Sequence, residues 1–208
     1  MVNQQLPPTV EPTGSLLAVF PIDNFIAYPK TIVPLHIFEM RYRQMLDDIN
    51  ETREKALVLT NLDQSSNLPG QIGTYAQIIS QEKLPDGRSN ILARCLYRVE
   101  IVDYFRPYSN DDYAIGEINS YEEHMKTIDP TIWKDLFESL LFLFKSKFDA
   151  KTQNVISQIA ERETPKMSVE EVVNTLCQFS PLSIKMKIDL LNVNTIFDRA
   201  RLLESYLT

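Results

Sequence analysis

No uninterrupted apolar stretch in this 208-residue sequence exceeds five residues, the longest being Leu16–Phe20 and Leu140–Phe144. A membrane-spanning helix needs about 20, so no membrane association is expected. Glycine is scarce: there are five, and none is followed by Lys, so a phosphate-cradling GxxxxGK(S/T) loop and a GxGxxG turn are both missing. A GxSxG elbow, an HExxH zinc motif and EF-hand spacing are missing as well. The only histidines are His36 and His124, and the only cysteines, Cys95 and Cys177, lie far apart with no CxxC. That leaves no source for a four-ligand zinc site, and neither metal nor cofactor is expected. No basic segment followed by an apolar one opens the chain as a secretory signal would. The expectation is a soluble, cytoplasmic protein with two reduced, buried thiols.

Positive charge is also lacking. Residues 1–124 carry 17 Asp+Glu against 10 Lys+Arg, a net −7, whereas residues 125–208 carry 11 against 11. Proteins that bind nucleic acid need a basic patch to displace counterions, so no nucleic acid is expected as a partner.

What is present divides in two. The first 14 residues, with Pro7, Pro8, Pro12 and Gly14, read as a flexible arm. Residues 15–124 show the short runs and turn clusters of strands: Leu16–Phe20, Phe25–Tyr28, Ala56–Thr60, Ile72–Ile79, Ile91–Tyr104 and Tyr113–Ser120. Within Ile91–Tyr104, Cys95, Tyr97, Val99 and Ile101 alternate with Arg94, Arg98 and Glu100, the period of a half-buried strand. The sequence Pro85-Asp86-Gly87-Arg88 predicts a hairpin turn, with Pro fixing one φ and Gly accepting a positive one.

One helix interrupts these strands. Phe38, Tyr42, Met45, Leu46 and Ile49 form an apolar stripe at helical spacing, with Glu39 and Arg43 paired at i,i+4. If Phe38 packs in that stripe, Phe38→Ala costs about 3–5 kcal/mol.

Residues 125–208 have helical periodicity. Asp129-Pro130 opens a long apolar helix, Val155–Ala160 suggests a short one, and Ser168-Val169-Glu170-Glu171 has the form of a capping box. Ser180-Pro181 is expected to open a further helix, and a last one starts near Thr195. Strands first and helices second argue for an α+β architecture.

Several groups of residues invite a functional reading. His36 sits among Pro34, Leu35, Ile37 and Phe38, and is read as a hydrogen-bonded side chain at a helix start. His124, beside Glu122 and Glu123, is read as solvated, and Glu39, Arg41 and Arg43 as a structural Glu–Arg link. The more promising feature is aromatic. Tyr104, Phe105, Tyr108 and Tyr113 surround Pro107 and a polar loop holding Asp111 and Asp112. Side chains of this kind supply interface area at low entropic cost, and these six are the candidate partner-binding residues.

A family resemblance adds to this reading. Leu17-Ala18-Val19-Phe20-Pro21-Ile22, then Tyr28-Pro29, then the run from Val33 to Met45 resemble the opening of the Lon-protease N-terminal, or LON substrate-binding, domain. Ile72-Gly73-Thr74-Tyr75-Ala76-Gln77-Ile78 and Leu84-Pro85-Asp86-Gly87-Arg88 resemble its second motif, and the stretch to Arg98-Val99 a third, with Cys95 where the family usually has Gly. The resemblance implies a PUA-like, strand-rich pseudo-barrel followed by a C-terminal α-helical bundle. It also implies a non-catalytic module that binds protein or unfolded, degron-bearing polypeptide, since no ATPase or protease motif accompanies it. The alternatives are a small hydrolase with an unrecognised site, and RNA binding through the PUA-like fold.

Overall fold

The computed structural model describes residues 14–61, 69–107, 109, 111–122, 128–147 and 168–208. Six strands and five helices are defined among them. The strands are β1 (Ser15–Ile22), β2 (Ile32–Ile37), β3 (Ala56–Asn61), β4 (Gln71–Lys83), β5 (Ser89–Phe105) and β6 (Ala114–Ser120). The helices are α1 (Met40–Glu51), α2 (Pro130–Lys147), α3 (Val169–Phe179), α4 (Ile184–Asn192) and α5 (Ile196–Leu207).

The strands run β2-β5-β4-β3-β1-β6, and β6 pairs back onto β5, which closes the sheet into a strand-rich pseudo-barrel. Only β1 and β3 are parallel; the other pairs are antiparallel. The 17-residue β5 makes closure possible, because its first half pairs with β2 and its second half with β6, while β4 runs along both. Both sheet faces are covered. Leu57 and Leu59 of β3 join Ala18, Phe20, Ala76, Ala93 and Cys95 under α1, while Ala56 and Val58 join Val19, Tyr75, Val99 and Ile101 on the opposite face. Every residue of β3 is accordingly buried, which fits the apolar run Ala56–Leu59 that opens it.

The period-two pattern of β5 changes phase within the strand. Tyr75 pairs with Tyr97 but Ala76 with Cys95, so Leu96 is an extra residue. This bulge moves Val99 and Ile101 to the face opposite Cys95. Arg98, expected on a polar half-exposed face, is instead 2% exposed. Its Nη1 donates to the carbonyls of Leu191 and Val193, both at 2.7 Å, and its guanidinium lies 4.7 Å from the centre of the Tyr121 ring.

Several other expectations need correction. Phe25–Tyr28 is not a strand. Its backbone is satisfied by side chains: Thr74 Oγ1 and Thr31 Oγ1 donate to the carbonyls of Ala27 and Tyr28, and Tyr28 N–H donates to Gln178 Oε1. The strand is β2, whose Pro34 discourages that reading from sequence but is tolerated on an edge. Helix α1 starts at Met40, so Phe38 lies outside its apolar stripe and is 58% exposed, while Tyr42, Met45, Leu46 and Ile49 are buried as expected. Glu39, in extended conformation at the N-cap, pairs with Arg41 rather than Arg43; Arg43 donates to the carbonyls of Phe38 and Asp86. Ser180 closes α3, and Ser183 is the residue that caps α4.

The caps at Asp129, Ser168 and Thr195 are where the sequence places them, and the Ser168–Glu171 capping box is complete. The predicted turn joins β4 to β5, with Gly87 at φ +85°. The short helix expected over Val155–Ala160 and most of the N-terminal arm lie outside the described residues. The helices bury a second core from Leu136, Leu140, Phe144, Val173, Leu176, Leu190 and Leu203, and Ile26 and Tyr28 reach into it from the strand-rich part.

Candidate functional site

Helix α1 packs its apolar stripe on the sheet, so its opposite edge faces the connection between β5 and β6. Residues four apart on a helix share a face, and Gln44 and Asp48 stand together there with Arg41. Across from them lie Pro107, Asp112, Tyr113 and Ile115. Together these residues line an open cleft of about 460 Å³, within the size range of small-ligand and side-chain pockets.

Hydrogen bonds define the walls. Asp48 accepts from Gln44 Nε2 at 2.7 Å and from Tyr113 Oη at 2.6 Å, tying the helix to the loop. Arg41 donates to Glu39 Oε2 from Nε and Nη2, at 3.0 and 2.6 Å, and lies over the Tyr42 ring. The carboxylate of Asp112 accepts from Ser109 N–H at 2.7 Å, and its carbonyl accepts from Arg106 Nη1. Burial lowers the Arg41 guanidinium pKa, but hydrogen bonding to Glu39 together with the electrostatic attraction of Tyr42, Glu39 and Asp111 leaves it above its ordinary value.

The six sequence-predicted residues divide across this geometry. Tyr113 and Asp112 line the cleft. Phe105, 48% exposed, pairs directly across from Ile115 and so lies on the same sheet face at the cleft margin. Tyr104 pairs with Gly116 and therefore points to the other face. Asp111 is exposed on the loop, its N–H donating to Ser109 Oγ. Tyr108 lies outside the described residues, as does His124. Sequence reasoning missed Gln44, Asp48 and Ile115, named Pro107 only as the residue that the aromatics surround, and read Arg41 only as part of a structural Glu–Arg link. The apolar stripe of α1 was visible as a helical period, but which element the helix's polar edge faces is a tertiary fact.

Groups elsewhere offer little chemistry. His36 is on β2, not at a helix start; it is exposed, and its Nδ1 pairs with Asn90 Oδ1 at 2.8 Å. Asn90 in turn donates to Glu82 at 3.0 Å. No cluster of His, Cys, Asp and Glu suited to a metal ion occurs among the described residues. Both cysteines are free and buried, and burial pushes their thiols up to about 11 for Cys95 and about 12 for Cys177. They are inert core residues at neutral pH. Among the described residues, no helix is long and apolar enough to cross a membrane.

Comparison with known proteins gives this arrangement its family. The chain is 23% identical over 198 residues to the Lon protease of Buchnera aphidicola subsp. Acyrthosiphon pisum, covering 90% of this chain and 24% of that protein. It is 26% identical over 193 residues to Lon protease 1 of Bacillus subtilis, covering 88% of this chain and 24% of that protein. The chain thus spans about a quarter of the length of these curated relatives. In fold it is similar to the N-terminal domain of the Mycobacterium avium complex Lon protease, with a TM-score of 0.72 at 16% identity, covering 93% of this chain and 98% of that one. The family described as the ATP-dependent protease La (LON) substrate-binding domain matches residues 17–208, and the chain belongs to that family.

Proposed function

We propose that this chain is a non-catalytic recognition module of the cytoplasm that binds other proteins or unfolded, degron-bearing polypeptide segments at the cleft between α1 and the β5–β6 connection. The observation that carries this reading is the open cleft itself, with Pro107, Tyr113 and Ile115 in its lining and the exposed Phe105 at its margin. Apolar area of this kind supplies about 25 cal/mol per Å² with little demand on the sequence of the partner. Membership of a substrate-binding family supports the same reading.

The alternatives find less support. A hydrolase centred on His36 would need a nucleophile or a polarised water, and His36 is engaged with Asn90 on an open strand face. An RNA site would need phosphate-pairing cations, whereas the cleft lining sets two carboxylates, Asp48 and Asp112, against Arg41, which Glu39 already engages.

The test is fluorescence anisotropy with labelled casein as the unfolded polypeptide. Phe105→Ser weakens binding by about tenfold, while Phe142→Ser, at a still more exposed aromatic on α2, leaves it unchanged, with the fold of both verified by circular dichroism. Loss through Phe142→Ser alone would put the binding surface on the bundle. Hydrolysis of ATP or cleavage of casein by the repurified protein would refute the non-catalytic part.

A further inference from the structure

The charge inside the cleft is unevenly balanced. Arg41, the cation in its lining, is already engaged by Glu39 through two hydrogen bonds. Asp48, half-buried on the same wall, accepts only from neutral donors, Gln44 and Tyr113, and makes no ion pair among the described residues. A carboxylate offers about four acceptor positions, so these two bonds leave it capacity. Its neighbour Asp47 points elsewhere and pairs with Lys83 at 3.4 Å. Beside Asp48 and the other polar members of the lining, Arg41, Gln44 and Asp112, the cleft offers apolar surface: Tyr113, Ile115 and Pro107 line it, Phe105 adjoins it, and Met40, 75% exposed, continues the Gln44–Asp48 stripe at the helix start. A side chain with an aliphatic stem and a cationic end fits both features at once.

We propose that Asp48 is a specificity-determining residue, pairing with the ammonium or guanidinium group of a Lys or Arg in the bound polypeptide while adjacent apolar side chains lie on Tyr113, Ile115 and Phe105. This rests on the cleft being the polypeptide site. The net −7 of residues 1–124 steers basic segments toward this part of the molecule. Asp48 then converts long-range attraction into a local choice, because a carboxylate left facing a neutral or acidic neighbour gains nothing.

The experiment uses three fluorescein-labelled peptides carrying Phe-Lys-Phe, Phe-Gln-Phe or Phe-Glu-Phe in one Gly/Ser background, titrated with the full chain. The Lys peptide binds about fivefold more tightly than the Gln peptide, the scale of one partly exposed ion pair, and the Glu peptide binds weakest. Asp48→Asn, which keeps an acceptor for Tyr113, abolishes the difference between the Lys and Gln peptides. Asp47→Asn removes the same charge one residue away and preserves the difference, which separates local pairing from the overall field. Equal binding of the Lys and Gln peptides to the parent overturns the inference while the polypeptide-binding reading stands, as does equal loss of discrimination in both variants. If Asp48→Asn fails to fold, salt decides: affinity for the Lys peptide that does not fall with added KCl overturns the inference. Failure of labelled casein and all three peptides to bind overturns both.

Discussion

At the scale of the residue, exposure decides consequence. Phe38 reads from sequence as the first member of an apolar stripe, but it precedes α1 and is 58% exposed, with its ring stacked loosely on His36. Its truncation removes little buried area. Phe38→Ala is expected to change stability by no more than about 0.5 kcal/mol, whereas Met45→Ala, at a fully buried position in the same segment, costs about 2–5 kcal/mol. Urea denaturation of the two variants checks this, and the reverse order would mean that Phe38 packs in the core after all. The aromatic candidates follow the same logic. Phe105 and Tyr113 meet at the cleft because strand pairing and a hydrogen bond bring them there. Tyr104 is one residue from Phe105, and the alternation of a strand turns it away.

Elements are held by close approach as much as by apolar area. Strand β4 lies close beside its antiparallel neighbour β3 at Gly73, where an added Cβ would stand 2.7 Å from Val58 Cγ1 and 2.9 Å from the Leu59 carbonyl. Val58 is fully buried, and the carbonyl belongs to a strand paired on both sides, so neither can retreat cheaply. Gly73→Ala is therefore expected to cost about 1–3 kcal/mol through overpacking, read as a fall in thermal midpoint. An unchanged midpoint would show that β3 and β4 can part at this point. Strand β5 illustrates the complementary device. One extra residue at Leu96 switches the face its odd-numbered residues bury, and so a single strand serves two cores. That switch also carries Arg98 inward, toward the bundle.

For the whole molecule, the two parts are joined by polar contacts at the α4–α5 turn. Arg98 from β5 and Arg199 from α5 both donate to the Val193 carbonyl, and each also holds a carbonyl at the end of α4. Tyr121, stacked on Arg98, donates to Asn194 Oδ1 at 2.6 Å, and Tyr28 Oη donates to the Lys187 carbonyl at 2.7 Å. Hydrogen bonds from a buried charged donor are worth more than neutral ones, and losing the donor strands its acceptors. Arg98→Leu is expected to cost about 3 kcal/mol in urea denaturation, and to leave the cleft, whose lining includes neither Arg98 nor its partners, able to bind casein. A variant as stable as the parent would show that the Arg98 hydrogen bonds add no net stability to the joint.

The division into strands first and helices second, the capping residues Asp129, Ser168 and Thr195, the β4–β5 turn and the family motifs were all legible in the sequence. Each depends on residues close together in the chain, or on a period that one element satisfies by itself. Three things were not legible. Strand β2 was hidden because Pro34 reads as a break until the strand is known to lie on an edge. The burial of Arg98 was hidden because alternation does not announce a bulge or a helix turn some 90 residues away that accepts the guanidinium. The cleft was half visible: the Tyr104–Tyr113 segment stood out by composition, but Asp48 joined it only through a hydrogen bond spanning 65 positions. Local conformation follows from local sequence, whereas a binding surface is made where distant segments meet, and that meeting is decided by how the sheet closes.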